Sequence, residues 1–227
     1  GGGTIGVATG MKSAPDGYTV FLGATGAMAI SPTLVPNLAY DPTRDMAPIG
    51  KLAISPLLLA VPVSSSIRSL QDLIATARAK PGSLSYATAG NGTAHHLAGE
   101  LLKQMAGIDM THVPYKGTAP ATTDTVAGQV PVGILDLHSS LPHVDSGKLR
   151  SLGTTGGKRA TFAPDMATIA ESGLSGFDVA SWFIMGAPAG VPRDIITRLN
   201  AETARALAIA EVRERILATG NEPISSS

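Results

Sequence analysis

Cysteine is the first residue type that this sequence lacks, since none of its 227 residues is a cysteine. Disulfide bonds, thiolate nucleophiles and thiolate-bound metals are therefore excluded. Aromatic residues make up only 4% of the chain, which disfavours the stacking surfaces that bind single-stranded nucleic acid. Lysine plus arginine and aspartate plus glutamate number 17 each, so no overall positive charge attracts nucleic acid or an anionic membrane.

Long apolar runs are also lacking, and none approaches the roughly 18 residues that a membrane-spanning helix needs. The first residues, Gly1–Gly6, carry neither the basic start nor the apolar core of a signal peptide. Because a fold seldom begins on three glycines, this start favours a chain that begins within a domain.

Short apolar runs alternate along the chain with patterns typical of helices. Ser69 stands at the N-cap position of one helix, Gly107 ends another that begins near Ala94, and Pro192 opens the longest helix. We expect that second helix to carry one apolar face, formed by Leu97, Leu101, Leu102 and Met105. Predicted strands occupy residues 17–23, 56–63, 84–88, 111–114, 130–135, 149–153 and 177–187, with a small-residue loop at 24–27 and loop with short helix at 32–48. The alternation predicts an α/β fold with mostly parallel strands.

The two longest predicted apolar strands, 56–63 and 177–187, flank a segment with its own strand–helix units. This order predicts an outer domain made of residues 1–63 and 176–227 and an inner domain made of residues 64–175. Two crossings between such domains would form a hinge and a cleft, which is where α/β proteins tend to bind ligands.

The stretch Ser85–Glu100 is the most informative part of the sequence, because a strand end, a glycine-bracketed polar turn and a helix start follow one another there. The first N–H groups of such a helix are unpaired and lie at the positive end of its dipole, so an anion fits there without a cationic side chain. Similar small and polar loops follow two other strands, at 23–26 and 115–118. Their recurrence predicts a site for a small carboxylate.

Other chemistries find less support in the sequence. Gly90-Asn91-Gly92 begins a dinucleotide fingerprint, but His95 stands at the third glycine position, and the stretch 153–158 is one residue short of a phosphate-binding loop. No Gly-x-Ser-x-Gly nucleophile motif is present. His95 and His96 are adjacent, so on a helix they point about 100° apart and do not readily share a metal ion. Asp136 follows an apolar strand and is equally suited to accept from a ligand or to cap the next helix.

An ordered series of motifs resembles one known family. The motifs are Ala14-Pro15-Asp16-Gly17-Tyr18-Thr19, Tyr40-Asp41-Pro42, Lys80-Pro81-Gly82, Gly90-Asn91-Gly92-Thr93, His96-Leu97-Ala98-Gly99-Glu100, His112-Val113-Pro114-Tyr115-Lys116-Gly117, Gly128-Gln129-Val130, Leu141-Pro142-His143-Val144, Gly147-Lys148-Leu149-Arg150, Ser181-Trp182-Phe183 and Arg198-Leu199-Asn200. Over essentially the whole chain, the sequence resembles the Bug family, the receptor proteins of tripartite tricarboxylate transporters.

The resemblance implies a type II periplasmic-binding-protein fold of two α/β lobes with hinge strands and an interlobe cleft. It implies an extracytoplasmic receptor, not an enzyme, that binds a mono-, di- or tricarboxylate for delivery to membrane transporter subunits in the periplasm. We expect a monomer without cofactor, metal or nucleic acid. The ligand-binding positions that it implies are Ala24, Thr25, Gly26, Gly90, Asn91, Gly92, Thr93, Tyr115, Lys116, Gly117 and Asp136.

Compared with the family pattern, the sequence begins after the first strand–helix unit and ends before the last helices. We therefore expect a protein truncated at both ends. Two alternative functions stay open at this point. One is an enzyme on a similar two-lobe scaffold that uses Asp136 with His96 or His138, and the other is a ligand-sensing regulatory module.

Overall fold

The computed structural model describes residues 3–226; Gly1 and Gly2, named above for the chain start, and Ser227 lie outside the described residues. The chain divides into two compact units. Unit 1 takes the chain up to Ile54 and again from Ser181 onward, and unit 2 is Ser55–Ala180. The chain therefore changes unit after residues 54 and 180, whereas the sequence placed the domain boundaries after residues 63 and 175.

Helices and strands alternate through both units. In chain order they are α1 (Thr4–Met11), β1 (Phe21–Ala24), a π-helical segment (Gly26–Ile30), α2 (Ser31–Leu34), β2 (Met46–Pro62), α3 (Leu70–Ala79), β3 (Ser85–Thr88), α4 (Ala94–Ala106), β4 (Thr111–Pro114), α5 (Thr118–Val126), β5 (Val132–Asp136), α6 (Leu137–Asp145), β6 (Leu149–Thr154), β7 (Ala180–Pro188), α7 (Arg193–Ala208), α8 (Ala210–Ala218) and β8 (Glu222–Pro223). In the described part of the chain, no helix combines the length and the apolar character that crossing a bilayer requires.

Strand directions differ from the mostly parallel arrangement that the alternation predicts. In unit 1, β1 pairs with β7 and β8 pairs with β2, both antiparallel. In unit 2, β3 lies between β4 and β5 and is parallel to both. β2 is antiparallel to its two neighbours in unit 2, β5 and β6. Helical crossovers join parallel strands, as α4 and α5 do here, but the sequence pattern does not reveal the direction of β2 and β6.

The part of β2 in unit 2 is buried on both faces. Leu57, Leu59 and Val61 pack into one apolar cluster, and Leu58 and Ala60 pack into a second. Successive side chains of a strand point to opposite faces, so the uninterrupted apolar run around residues 57–61 supplies both clusters. The predicted strand at 56–63 is therefore present, although β2 begins ten residues earlier, at Met46, in the segment expected to be loop.

The predicted buried strand at 17–23 is wrong in extent and burial. β1 begins only at Phe21, Tyr18 is 93% exposed and Leu22 is 62% exposed. Alternation along a strand buries Phe21 and Gly23 and leaves Leu22 on the other face. The loop expected at 24–27 is also wrong, since Gly26 opens the π-helical segment.

The expected apolar face of α4 is only half correct, since Leu102 is buried and Leu101 packs against the core, but the other two residues do not. Leu97 and Met105 are exposed, whereas Ala94, Ala98 and Leu102 are buried at helical spacing. Because Ala94, Ala98 and Gly99 are small, this part of the helix can approach the sheet closely. The ends of α4 are as predicted, with Thr93 at the N-cap position and Gly107 in the left-handed conformation after the last turn.

Candidate functional site

Three parallel strands of unit 2 end at one edge of their sheet, because β3 is paired in parallel with both β4 and β5. A helix begins within a few residues of each of these ends: α4 at Ala94, α5 at Thr118 and α6 at Leu137. The first N–H groups of a helix have no partner within the helix and carry a partial positive charge. The fold therefore concentrates hydrogen-bond donors at this edge of unit 2.

The turn between β3 and α4 depends on glycine. Gly90 and Gly92 have φ angles of 133° and 69°, which side chains rarely tolerate. A Cβ atom on Gly90 would lie 2.9 Å from the carbonyl oxygen of Tyr115, so this turn is in direct contact with the loop after β4. The hydroxyl of Thr93 accepts from the N–H of His96 at 3.3 Å and donates to the carbonyl of Gly90 at 2.8 Å. The predicted glycine turn and helix start are confirmed.

The turn uses two of its own N–H groups internally. Gly90 donates to the hydroxyl of Thr88 at 3.2 Å, and Gly92 donates to Nδ1 of His96 at 3.4 Å. For the N–H groups of Ala94 and His95, in the first turn of α4, residues 3–226 provide no hydrogen-bond partner. The N–H groups without an internal partner are thus found in the first turn of α4 rather than at the two glycines.

The loop after β4 is joined to the loop after β3 by main-chain hydrogen bonds. Tyr115 donates its N–H to the carbonyl of Thr88 at 3.0 Å, and Gly117 donates to Ala89 at 3.1 Å. Burial, together with a hydrogen bond to a carboxylate of α5, raises the pKa of Tyr115 to about 12, so its hydroxyl stays protonated at neutral pH. Lys116 is exposed and is the one cationic side chain among the positions predicted for the ligand.

Asp136 is the last residue of β5 and is held by groups from two helices. Its Oδ1 atom lies 2.9 Å from Nε2 of His95, and the hydroxyl of Thr118 also hydrogen-bonds the carboxylate. Burial alone would raise the pKa of Asp136, but the hydrogen bond and electrostatic interaction with His95 and the bond from Thr118 outweigh it, so the pKa is lowered. The side chain makes no capping bond to α6. Asp136 is therefore ionised at neutral pH.

His95 is the partner that the sequence did not predict for Asp136. Its side chain is 8% exposed, and within residues 3–226 its Nδ1 atom has no hydrogen-bond partner. This environment assigns the proton to Nε2, from which it is donated to Asp136. The pairings with His96 or His138 that the enzyme alternative requires are absent from the described contacts of Asp136, which bonds His95 instead. His95 could have been identified as a buried residue from its helical spacing to Ala98 and Leu102, which lie on the same buried face of α4.

His96 and His112 form a second group at the same edge. Their rings stack with centroids 4.1 Å apart, and His112 also stacks on Tyr86 at 5.0 Å. Nε2 of His112 lies 2.6 Å from the hydroxyl of Thr88, the same hydroxyl that accepts from Gly90. Burial, reinforced by His96 nearby, lowers the pKa of His112 to about 4. A neutral His112 therefore contacts the Thr88 hydroxyl, which in turn accepts a hydrogen bond from Gly90 in the glycine turn.

Ala24, Thr25 and Gly26 belong to unit 1. Thr25 is buried, and its hydroxyl accepts from the N–H of Trp182 at 2.7 Å and donates to the carbonyl of Trp182 at 3.3 Å. Gly26 begins the π-helical segment, a form that is rare and frequently found at functional sites. The hydroxyl of Thr25 thus anchors the end of β1 to β7.

A cavity of ≈ 390 Å³ opens beside Asp136 in unit 2. Its lining residues are Thr118, Ala119, Thr122, Thr123, Asp136, Ser139 and His143. Asp136 is the only carboxylate in this lining, and the lining contains no lysine or arginine. Within residues 3–226, no group of three or more histidine, aspartate or glutamate side chains is arranged to hold a metal ion.

Comparisons with known proteins agree with this architecture. A family model described as the tripartite tricarboxylate transporter family receptor matches residues 1–227. The chain is 39% identical over 220 residues to a protein from the tcbD-tcbE intergenic region of Pseudomonas sp. strain P51, covering 96% of this chain and 65% of that relative. It is 35% identical over 224 residues to Protein BugT of Bordetella pertussis, covering 98% and 69%. The solved structure of R. palustris Rpa4515 with adipate matches with a TM-score of 0.88 and 37% identity, covering 99% of this chain and 75% of that one.

The fold and these matches first define a class, the α/β proteins with the periplasmic-binding-protein fold. Within that class, the chain belongs to the tripartite tricarboxylate transporter receptor family, to which the Bug proteins belong. The family and the α/β fold expected from the sequence are thereby confirmed. The chain spans 65% of the length of the Pseudomonas relative.

Proposed function

We propose that this chain is an extracytoplasmic solute receptor that binds a small organic acid and delivers it, unchanged, to the membrane subunits of a tripartite tricarboxylate-type transporter. The observation that carries the proposal is the convergence of the first turns of α4, α5 and α6 on one edge of unit 2. Backbone N–H groups at helix starts hold carboxylates without cationic side chains. Membership of a receptor family and a relative solved with adipate support the same ligand class.

We further propose that unit 1 and unit 2 act as the two lobes of the receptor. We also propose that the receptor is a periplasmic monomer. The proposed ligand positions are Ala24, Thr25 and Gly26 in unit 1 and Gly90, Asn91, Gly92, Thr93, Tyr115, Lys116, Gly117 and Asp136 in unit 2. At Gly90 and Gly92 the contribution is to shape the turn, since their N–H groups are already used. The donors themselves are the N–H groups that open α4.

Binding without turnover is part of the proposal. In the histidine that pairs with Asp136, Nε2 bonds the carboxylate and Nδ1 is buried, so neither ring nitrogen of His95 is presented to a bound substrate. A general acid or base must lie within hydrogen-bond reach of the reacting group. The pair is suited to hold Asp136 in place rather than to catalyse a reaction.

Isothermal titration calorimetry with short mono-, di- and tricarboxylates tests the proposal directly. We expect at least one acid to bind with a Kd of about 1 μM or below, which corresponds to about −8 kcal/mol. Mass spectrometry of the same samples should recover the acid unchanged. If none of the acids produces heat with protein that circular dichroism shows to be folded, the proposed function is wrong.

Two proline variants test the contribution of α4. Ala94→Pro replaces the first free N–H of α4 with a methylene group, and proline is well suited to the first position of a helix. The residue before it, Thr93, already has the extended conformation that proline requires. We expect Ala94→Pro to weaken binding at least about tenfold. Arg193→Pro makes the same change at the first position of α7, outside the proposed site, and should leave the affinity unchanged.

A further inference from the structure

Asp136 presents a fixed negative charge to the cavity beside it. One of its oxygens is bonded to the buried ring of His95, yet 41% of its own side chain is exposed, compared with 8% for His95. His95 therefore holds the carboxylate through Oδ1, while the exposed part of the Asp136 side chain stays accessible. Thr118, which also bonds the carboxylate, lines the same cavity.

The lining of this ≈ 390 Å³ cavity has no cationic side chain of lysine or arginine to offset that charge. A ligand carboxylate placed against Asp136 would face a like charge in a partly buried setting, which is unfavourable. A hydroxyl or an ammonium group at the same place would donate a hydrogen bond to the carboxylate, and bonds to ionised acceptors are the stronger ones.

One residue of this lining carries a buried hydroxyl without a hydrogen-bond partner among the described residues. Thr122 is 6% exposed, lines the cavity, and finds no hydrogen-bond partner for its hydroxyl within residues 3–226. Thr118 and Ala119, the first residues of α5, lie in the same lining. A positive helix start and a negative carboxylate thus border one space, which suits a ligand that carries a carboxylate and a donor group together.

From this arrangement we infer that Asp136 is a specificity-determining residue that selects carboxylates bearing a hydroxyl or ammonium group over plain dicarboxylates. The inference rests on the proposed function and narrows its ligand class to hydroxy and amino acids. His95 acts through Asp136 as a positioning residue, since it holds the carboxylate but is buried away from the cavity.

Calorimetry with matched acids tests the inference. Each set contains three short straight-chain acids of equal length: the plain dicarboxylate (adipate among them), the hydroxy monocarboxylate and the amino monocarboxylate. In the wild-type protein we expect the hydroxy or amino acid of a set to bind at least about tenfold tighter than the dicarboxylate. Asp136→Asn keeps the shape and an oxygen that accepts from His95, but removes the charge. In this variant the hydroxy or amino acid should bind less than about threefold tighter than the dicarboxylate, chiefly because the dicarboxylate gains affinity.

The control is Asp165→Asn, which removes a carboxylate from a different cavity of unit 2 and should retain the wild-type preference. A wild-type protein that binds a dicarboxylate as tightly as its hydroxy and amino counterparts would overturn the inference, as would an Asp136→Asn variant with an unchanged preference. In both cases acids still bind, so the proposed function survives. If no acid binds to the folded wild-type protein, the proposed function falls, and this inference falls with it.

Discussion

At the scale of single residues, the site depends on side chains that hold a fixed protonation state. Asp136 stays ionised because His95 and Thr118 donate to it, and His112 stays neutral because it is buried between Tyr86 and His96. The ionised Asp136 and the neutral His112 each take part in a hydrogen bond with a neighbouring residue. A change in the charge of either residue would therefore alter the loops that carry the candidate site.

The pH dependence of stability follows from His112. Its pKa is lowered from 6.5 to about 4 in the folded protein. The unfolded chain therefore binds more protons than the folded chain between these values, and the free energy of unfolding must fall as the pH drops through this window. We expect the Tm of the wild-type protein to decrease from pH 6.5 to pH 4, and this decrease should be shallower in His112→Phe, which keeps the stacking but does not titrate.

The control for this experiment is Val113→Ala, a non-titrating change at the next residue of β4. It should lower the Tm by a similar amount at every pH. His96, Glu100 and Lys103 surround His112 and are retained in all variants. Equal slopes for His112→Phe and the wild-type protein would contradict the assignment of acid sensitivity to His112.

At the scale of elements, α4 packs directly against β3 at Gly99. Gly99 makes this possible, because a Cβ atom there would lie 2.2 Å from the ring of Tyr86. Tyr86 is fully buried and donates its hydroxyl to Glu100, one residue along α4. Moving the fully buried ring away from an added Cβ would strain that bond.

Gly99→Ala should therefore destabilise the protein. Overpacking of a core typically costs about 1–3 kcal/mol, and we expect a loss in this range. The matched change is Gly6→Ala, at an exposed helical glycine in α1 with no atom within 4 Å of the added Cβ. There alanine should stabilise by about 0.5–1 kcal/mol through its helix preference. Urea unfolding of the two variants measures both effects, and a Gly99→Ala variant as stable as the wild type would show that α4 can move away from β3 at no cost.

The elements also show what the sequence could predict. Turns and caps are encoded locally, so Ser69 and Gly107 could be placed correctly from their neighbours alone. The buried face of α4 could not, because Leu97 is more apolar than Ala98 and yet the close approach at Gly99 buries the small side chains. Strand direction was equally hidden, since it depends on which strands become neighbours and not on the residues of any one strand.

The candidate site was predictable to the same extent. The glycine turn and the helix that follows it were predicted from local sequence, and the family resemblance supplied the whole set of proposed positions. The bond between His95 and Asp136 joins α4 to β5 across 41 residues of sequence. Such a contact depends on tertiary structure, and neither residue carries a local signal for the other.

At the scale of the whole molecule, the candidate site within unit 2 rests on a core that is complete in itself. Unit 2 is one continuous stretch, Ser55–Ala180. Its two apolar clusters, one with Leu57 and Phe177 and the other with Leu58 and Ala163, contain residues of this stretch alone. Unit 1 instead combines two separated parts of the chain, so its two parts must find each other during folding.

Residues 55–180 expressed alone should therefore fold. A continuous segment with its own hydrophobic core meets the main requirement of an independent domain, although the fragment keeps only the part of β2 that pairs with β5 and β6. We expect far-ultraviolet circular dichroism typical of an α/β protein and a single cooperative thermal transition. Gly99→Ala should destabilise this fragment by the same amount as the full chain, within about 0.5 kcal/mol, because its contacts lie entirely inside unit 2. A fragment that melts without cooperativity and binds hydrophobic dyes would show that the core of unit 2 needs the rest of the chain.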